Sequence, residues 1–569
     1  MFKKLSHIKV DPFSGIPSLL EGKSLDQYNN DQGWHNQFRK QIVSRIDESV
    51  FKVLYSQKMG APNFPVPILV GMIILKDAFG WSDSQLFEHC RFNLLVRSAL
   101  GLFNLTDEIP TESTYYLFRQ RIHQYNSDHG EDLLQRTFDN ITRGQIKDFN
   151  VNGRSIRMDS KLFGSHIAYF SRYEIIHQTF TLFCKTLNQG DLARFSEDQT
   201  QQVKSLQEEE PLKTIYHSTK DHILSRMQWM GILIYKTLHI FSSQDSEPYK
   251  LLQRMFHEQY RVKEQTREVE LRPKEEIASD SLQSPHDPDS AYRQKTDQKV
   301  KGYSMNVSET ISGGPLDLIT NVMVEKANVP DTLFVQPAIT ATQAITGVKV
   351  EKVYADGAFQ SPGNDDFCKD IDMVFTGIQG SVSRYDLEMT PGGLLVTDTQ
   401  TAECFLATLA KKQKNSKEDK WVVNTAKGKV YFNQQSIRTS TLRRIIHQRP
   451  LEETQKRNNV ESTIFHVGYP LRNSKSKYRG LIKNQVWAIC RGLWVNLVRI
   501  IHFLEQTCQR TVQESSKVCL LFNFSFRFRF NGIILSKINT AAFLFCNLIY
   551  IFSQILINYK NHFSEWAQD

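Results

Sequence analysis

The chain has 569 residues and 70 Lys plus Arg against 61 Asp plus Glu, a formal charge of +9. Hydrophobic residues make up 40%, and 36 Phe, 20 Tyr and 7 Trp stand against only 28 Gly and 18 Pro. Those proportions exclude wholesale disorder and a collagen-like or low-complexity chain, and at ~100–200 residues per domain the length implies three to five structural units rather than a small disulfide scaffold.

The eight cysteines (90, 184, 368, 404, 490, 508, 519 and 546) include no CxxC pair, so no structural zinc site is expected. Most stand in apolar surroundings, as reduced core cysteines of a cytosolic protein do. The start, MFKKLSHIKVDPFSG, is basic but has no apolar core of a signal peptide.

A helix is expected around Asn36–Tyr55, followed by a break at Pro62, Pro65 and Pro67. Ile68–Phe79 is an apolar run of helical length. Ser82 is placed to cap a second helix, Asp83–Arg91, and Pro110-Thr111-Glu112-Ser113 opens a third over 114–122. Short helices with tight turns and an Arg-bearing last helix suit a helix-turn-helix-like module or a plain bundle. Near residue 150 the period changes, and Ser155–Phe163 alternates as a strand. Helical patterning returns over about 170–285. Strands are expected at Lys301–Thr310, Leu316–Val324, Lys352–Gly357 and Asp372–Gly377. Glycines and the Trp421 and Val430 runs suggest a β-rich insertion over about 381–450. Helices then follow over Glu453–Ile464 and from about Gly480 to Glu505.

Three acids stand out by position. Asp159 lies within a strand, Asp356 ends another, and Glu461 lies on a helix one turn after Arg457. An acid inside a strand is unfavourable unless it is solvated or paired. Converging carboxylates are what two Mg²⁺ or Mn²⁺ ions need, because such ions take hard anionic oxygen ligands. Each acid can equally be an ordinary surface or capping residue.

The order of these elements, with an Asp on each of two strands and a Glu on a later helix, is the plan of an α/β RNase H-like core, a mixed sheet flanked by helices. The chain resembles a DDE transposase of a bacterial insertion sequence, of the insertion-sequence four and eleven-eighty-two type. The words that carry the resemblance are Met158-Asp159-Ser160-Lys161-Leu162, Asp287-Pro288-Asp289-Ser290-Ala291-Tyr292, Lys301-Gly302-Tyr303, Tyr354-Ala355-Asp356-Gly357, Asn458-Asn459-Val460-Glu461-Ser462, Tyr478-Arg479-Gly480-Leu481 and Trp494-Val495-Asn496-Leu497. The stretch 68–122 resembles the family's small helical N-terminal domain.

The resemblance implies an all-α N-terminal domain over 1–150 that binds DNA and a catalytic domain over 151–510. It implies that Asp159, Asp356 and Glu461 are catalytic and bind two Mg²⁺ or Mn²⁺ ions. The implied activity is cleavage at the element ends and strand transfer into target DNA. The implied partners are the terminal inverted repeats, target DNA and a second copy of the chain, with no small-molecule substrate. The setting would be the bacterial cytoplasm, at the nucleoid. Of the family's Tyr, Arg, Glu, Lys signature, Arg457 and Glu461 match, whereas Thr454 and Gly468 stand at the Tyr and Lys positions. Phosphate contacts are expected from Arg457, Lys475, Lys477, Arg479 and Lys295, in stretches dense in basic residues. A DNA-binding protein with a decayed core and a nuclease that cuts without joining remain open.

Residues 511–569 form an apolar tail to which no role is assigned. Phe522–Phe530 alternates as a strand would, and 538–557 runs without a charge. Its Asn and Gln residues disfavour a membrane anchor.

Overall fold

The structure, a computed structural model, describes residues 1–4, 15–56, 60–295, 298–378, 383–410, 419–425 and 428–527, with side chains through 510. The chain divides into two compact units, 1–499 and 500–569.

The described residues before the first strand are built from helices: α1 (Gly22–Asn29), α2 (Trp34–Gln41), α3 (Val66–Phe79), α4 (Asp83–Phe92), α5 (Leu94–Ala99), α6 (Glu112–His129) and α7 (Leu133–Phe149). The helix expected over Asn36–Tyr55 breaks after Gln41 into two 3-10 turns. Asp47 turns its carboxylate onto the Ser49 N–H, at 3.0 Å, and this local bond competes with helix continuation. α3 is buried almost all round, from Val66 to Ala78. Ser82 caps α4 with a reciprocal bond to Gln85.

β1 (Ser155–Gly164) then enters the main sheet. A helical insertion follows: α8 (Arg172–Cys184), α9 (Gln189–Leu192), α10 (Glu197–Glu208), α11 (Pro211–His217), α12 (Lys220–Ile240) and α13 (Glu247–Gln259), with the hairpin β2 (Tyr260–Val262) and β3 (Val269–Leu271). It closes its own core around Phe180, Phe183, Leu206, Met230, Ile234 and Phe256. The chain returns through β4 (Ala291–Lys295), β5 (Gln298–Thr310), β6 (Ile319–Lys326), α14 (Val335–Thr346), β7 (Lys352–Ala355), α15 (Pro362–Phe367) and β8 (Asp372–Phe375).

The six-stranded sheet runs β4-β5-β1-β7-β8, and β6 pairs β5 beyond β4. β5 is antiparallel to β1, β4 and β6. β7 is parallel to β1, and β8 to β7. β1 is therefore central, and β5 is buried on both faces from Gly302 to Thr310. Ile156, Met158, Val335, Ile339, Val353 and Phe375 form the core beneath one face. Each such fully buried side chain contributes roughly 1.5–3 kcal/mol.

The β-rich insertion is a five-stranded antiparallel sheet: β9 (Tyr385–Thr390), β10 (Gly393–Asp398), β11 (Cys404–Leu409), β12 (Lys420–Thr425) and β13 (Gly428–Asn433). Its last quarter, α16 (Gln434–Gln448), is helical and seals the sheet through Ile437. The helix expected over Glu453–Ile464 is broken into α17 (Leu451–Gln455) and α18 (Asn459–Gly468). Arg157 Nη1 donates to the Lys456 carbonyl at 3.3 Å, so that oxygen serves a tertiary contact at the break.

α19 (Leu481–Arg527) is the last element among the described residues. Its first part is long and apolar enough to cross a bilayer, but Trp487, Ile489, Cys490, Leu493 and Leu497 are buried in the core. Asn496 and Gln485 bond the backbone of β6 at Ile319 and Val324. The Phe522–Phe530 alternation, read as a strand, is helical as far as Arg527, because extending an established helix costs less than starting a new element. Residues 538–557 lie outside the described residues. Cys90, Cys184, Cys368 and Cys490 are buried thiols, while Cys404 and Cys508 are exposed; all six are free.

Candidate functional site

β1 and β7 run side by side and in the same direction, with Arg157 paired to Tyr354. Side chains two residues apart share a face, so the same register sets Asp159 abreast of Asp356. Asp356 lies one residue past β7, still extended, and opens a 3-10 turn over Gly357–Phe359. The glycine after it is a packing requirement: a Cβ at Gly357 would lie 2.3 Å from the Gly377 carbonyl oxygen.

α18 crosses the same face. Arg457 sits in the turn before it rather than on a continuous helix. Its guanidinium reaches Asp159 Oδ2 at 3.0 Å and Glu461 Oε1 at 3.2 Å. One cation thus spans two acids that are distant in sequence. Asp159 Oδ1 accepts the Ser160 N–H at 2.9 Å. Burial pushes the Asp159 carboxyl above its ordinary range; Arg457 and the Ser160 bond pull it back, and Asp356 adds a smaller upward push. Glu461 is the most open of the three acids, with 63% of its side chain exposed against 17% for Asp159.

These three carboxylates are the residues that could hold hard divalent cations. Their chemistry fits: all donors are anionic oxygens, and the buried Asp159 needs positive charge nearby to stay ionised. Among the described residues no three Asp, Glu, His or Cys side chains already form a cation cage. Arg457 fills that electrostatic role between Asp159 and Glu461.

The other basic residues singled out in the sequence have varied places. Lys475 Nζ donates to the Ile167 carbonyl at 3.3 Å and lies 4.4 Å from the Tyr169 ring centre. Lys477 pairs with Asp77 at 3.4 Å and donates to the Trp81 carbonyl. Arg479 Nε donates to the His166 carbonyl at 2.8 Å. These three tie the 472–480 loop to the end of β1 and to α3. Lys295 is exposed at the end of β4. Arg444 and Arg449 pair with Asp386 and Asp372. Much of the basic density around the last acid is therefore spent on ion pairs within the chain.

Sequence reasoning missed two features. Lys161, two residues beyond Asp159 on the same face of β1, is half-buried, and its ammonium would stand 3.3 Å from a Cβ at Gly468. Glu309, fully buried on β5, joins Arg157, Thr463 and Arg499. The word Met158–Leu162 contained Lys161, but a strand lysine reads as solvated. Glu309 gave no signal at all.

Residues 27–121, from the end of α1 into α6, match the family model described as Transposase domain (DUF772). No curated protein and no solved structure matches the chain. The match supports a transposase, a protein that processes nucleic acid and has DNA as its partner. The architecture around it is a mixed α/β fold with a mixed sheet.

Proposed function

We propose that the protein is a DDE transposase whose RNase H-like core cuts DNA at the ends of a mobile element and joins them to a target. The observation that carries this reading is the meeting of Asp159, Arg457 and Glu461 beside the parallel pair β1 and β7. The sheet order, with one antiparallel and one parallel neighbour of β1, supports the RNase H-like assignment. The transposase-domain match over residues 27–121 supports the biological role, and in this reading the N-terminal helices bind DNA.

In this reading Asp159 presents oxygens from within β1, Asp356 from just past the end of the neighbouring β7, and Glu461 from α18. Two Mg²⁺ or Mn²⁺ ions, when bound, would supply the charge that activates the attacking oxygen and stabilises the leaving one. Water attacks the phosphodiester at the element end and the bond to the 3′ oxygen breaks; the freed 3′-hydroxyl then attacks a target phosphodiester in the same site, and the target's own 3′ oxygen leaves phosphorus as the new bond forms. Arg457 neutralises the acid cluster before the ions bind and can then turn to a phosphate oxygen. The assembly that brings two ends together would contain at least two copies of the chain.

The test is cleavage and joining of a labelled DNA end taken from the flank of the gene, with Mg²⁺ or Mn²⁺. The parent is expected to do both, and Asp159→Asn, Asp356→Asn and Glu461→Gln to do neither. Cleavage without joining would instead describe a nuclease, and binding without cleavage a decayed core.

A further inference from the structure

Glu309 is fully buried, yet it carries a charge-pairing cluster. Its backbone partner across the sheet is Arg157. Arg157 Nε donates to Oε1 at 2.5 Å. Oε2 receives Thr463 Oγ1 at 2.7 Å and Arg499 Nη1 at 2.6 Å. Arg499 also donates to the Thr463 hydroxyl. Arg157 reaches on to Asp317 Oδ2 at 3.0 Å and to the Lys456 carbonyl at 3.3 Å. Two guanidiniums and two carboxylates make the cluster neutral overall, which is the condition for burying it.

The members of this cluster stand beside every acid of the site. Arg157 is two residues before Asp159 on the same strand face. Its parallel partner Tyr354 is two residues before Asp356. Thr463 is two residues after Glu461 on α18. The Lys456 carbonyl immediately precedes Arg457. We propose that Glu309 is a positioning residue: through Arg157, Thr463 and Arg499 it locks α18 onto the sheet, so that Glu461 meets Asp159 and Asp356 at a fixed separation. None of the four is one of the three carboxylates proposed to hold the ions. The proposal rests on the metal-dependent reading above. Its physical basis is that groups behind a ligand set fix its geometry and therefore its affinity.

The test measures Mn²⁺ affinity of the full-length protein by electron paramagnetic resonance, with and without an element-end DNA, beside thermal unfolding. Thr463→Val keeps the volume and removes only the hydroxyl; Thr463→Ser restores it. The parent is expected to bind Mn²⁺ in a manner lost in Asp159→Asn. Thr463→Val should weaken binding about ten-fold while remaining folded, and Thr463→Ser should bind as the parent does. Arg499→Met, at a partly exposed position, is the second variant and decides the matter if Thr463→Val does not fold. Mn²⁺ affinity equal to the parent's in the folded variants overturns the positioning role and leaves the proposed function standing. Absence of Asp159-dependent Mn²⁺ binding in the parent, even with DNA, overturns the metal-dependent reading and this inference together.

Discussion

Lys161 shows what a missing side chain can do. Gly468 offers no Cβ, and the stem of Lys161 lies over it with Cδ 3.8 Å from where that atom would be. The ammonium has no ion pair or hydrogen bond among the described residues, whereas Lys475, Lys477 and Arg479 each have protein partners. A half-buried cation beside the proposed phosphodiester site is free to meet phosphate. Lys161→Met is therefore expected to weaken binding of an element end and to reduce the slope of log K against log salt by about 0.9. Lys475→Met should leave that slope unchanged. Fluorescence anisotropy across a salt series checks both. At this scale Asp159 and Asp356 drew notice because a carboxylate within or at the end of a strand conflicts with its surroundings, and Glu461, on α18, because it follows Arg457 by one turn. Glu309 and Thr463 were not, since their partners come from strands and helices far away in the chain. Removing the Glu309 charge alone leaves Arg499 without its carboxylate and the buried Arg157 with Asp317 alone. Glu309→Gln should cost about 3–5 kcal/mol in a urea unfolding series.

Among the elements, β1 and β5 could be read from their alternation, β7 and β8 as short strands ending at a glycine, and α3 and α4 from an apolar run and a capping serine. The break between α17 and α18 could not, because it coincides with a contact from Arg157 on another element. α6 was legible from its opening at Pro110–Ser113, but its half-buried His123 faces charges that the local sequence does not reveal. Burial, with Arg119 and Lys483 alongside, pushes this imidazole down to about 4. Its Nδ1 is buried without a partner. As pH falls below about 6.5 the unfolded chain takes up a proton that the folded chain refuses until about pH 4. The stability that His123 confers is present above about pH 6.5 and lost on descending to about pH 4. The urea midpoint of the parent should fall over that window, and His123→Phe should flatten the fall. An unchanged profile in the variant would place the titration elsewhere.

For the molecule as a whole, the sequence announced a helical and a β-rich insertion but not how they attach. The helical insertion leaves and rejoins the core at one place: the Phe170 and His286 rings stand 6.4 Å apart, and Ser165 bonds Asp287. With its own core and adjoining ends, it can be excised like a domain. Replacing 171–285 by a short Gly/Ser linker should leave Asp159-dependent Mn²⁺ binding intact; its loss in a folded variant would show that the insertion shapes the site.

The buried cluster around Glu309 also sets an order in time. Its first member is Arg157 and its last is Arg499. At a synthesis rate of about 5–20 residues per second, tens of seconds separate their emergence from the ribosome. The N-terminal helices can fold long before then, but the cluster that holds α18 to the sheet is not complete until Arg499 arrives. The carboxylate site is therefore among the last parts of the chain to be completed, and any product of premature termination before α19 would lack the clamp that closes it.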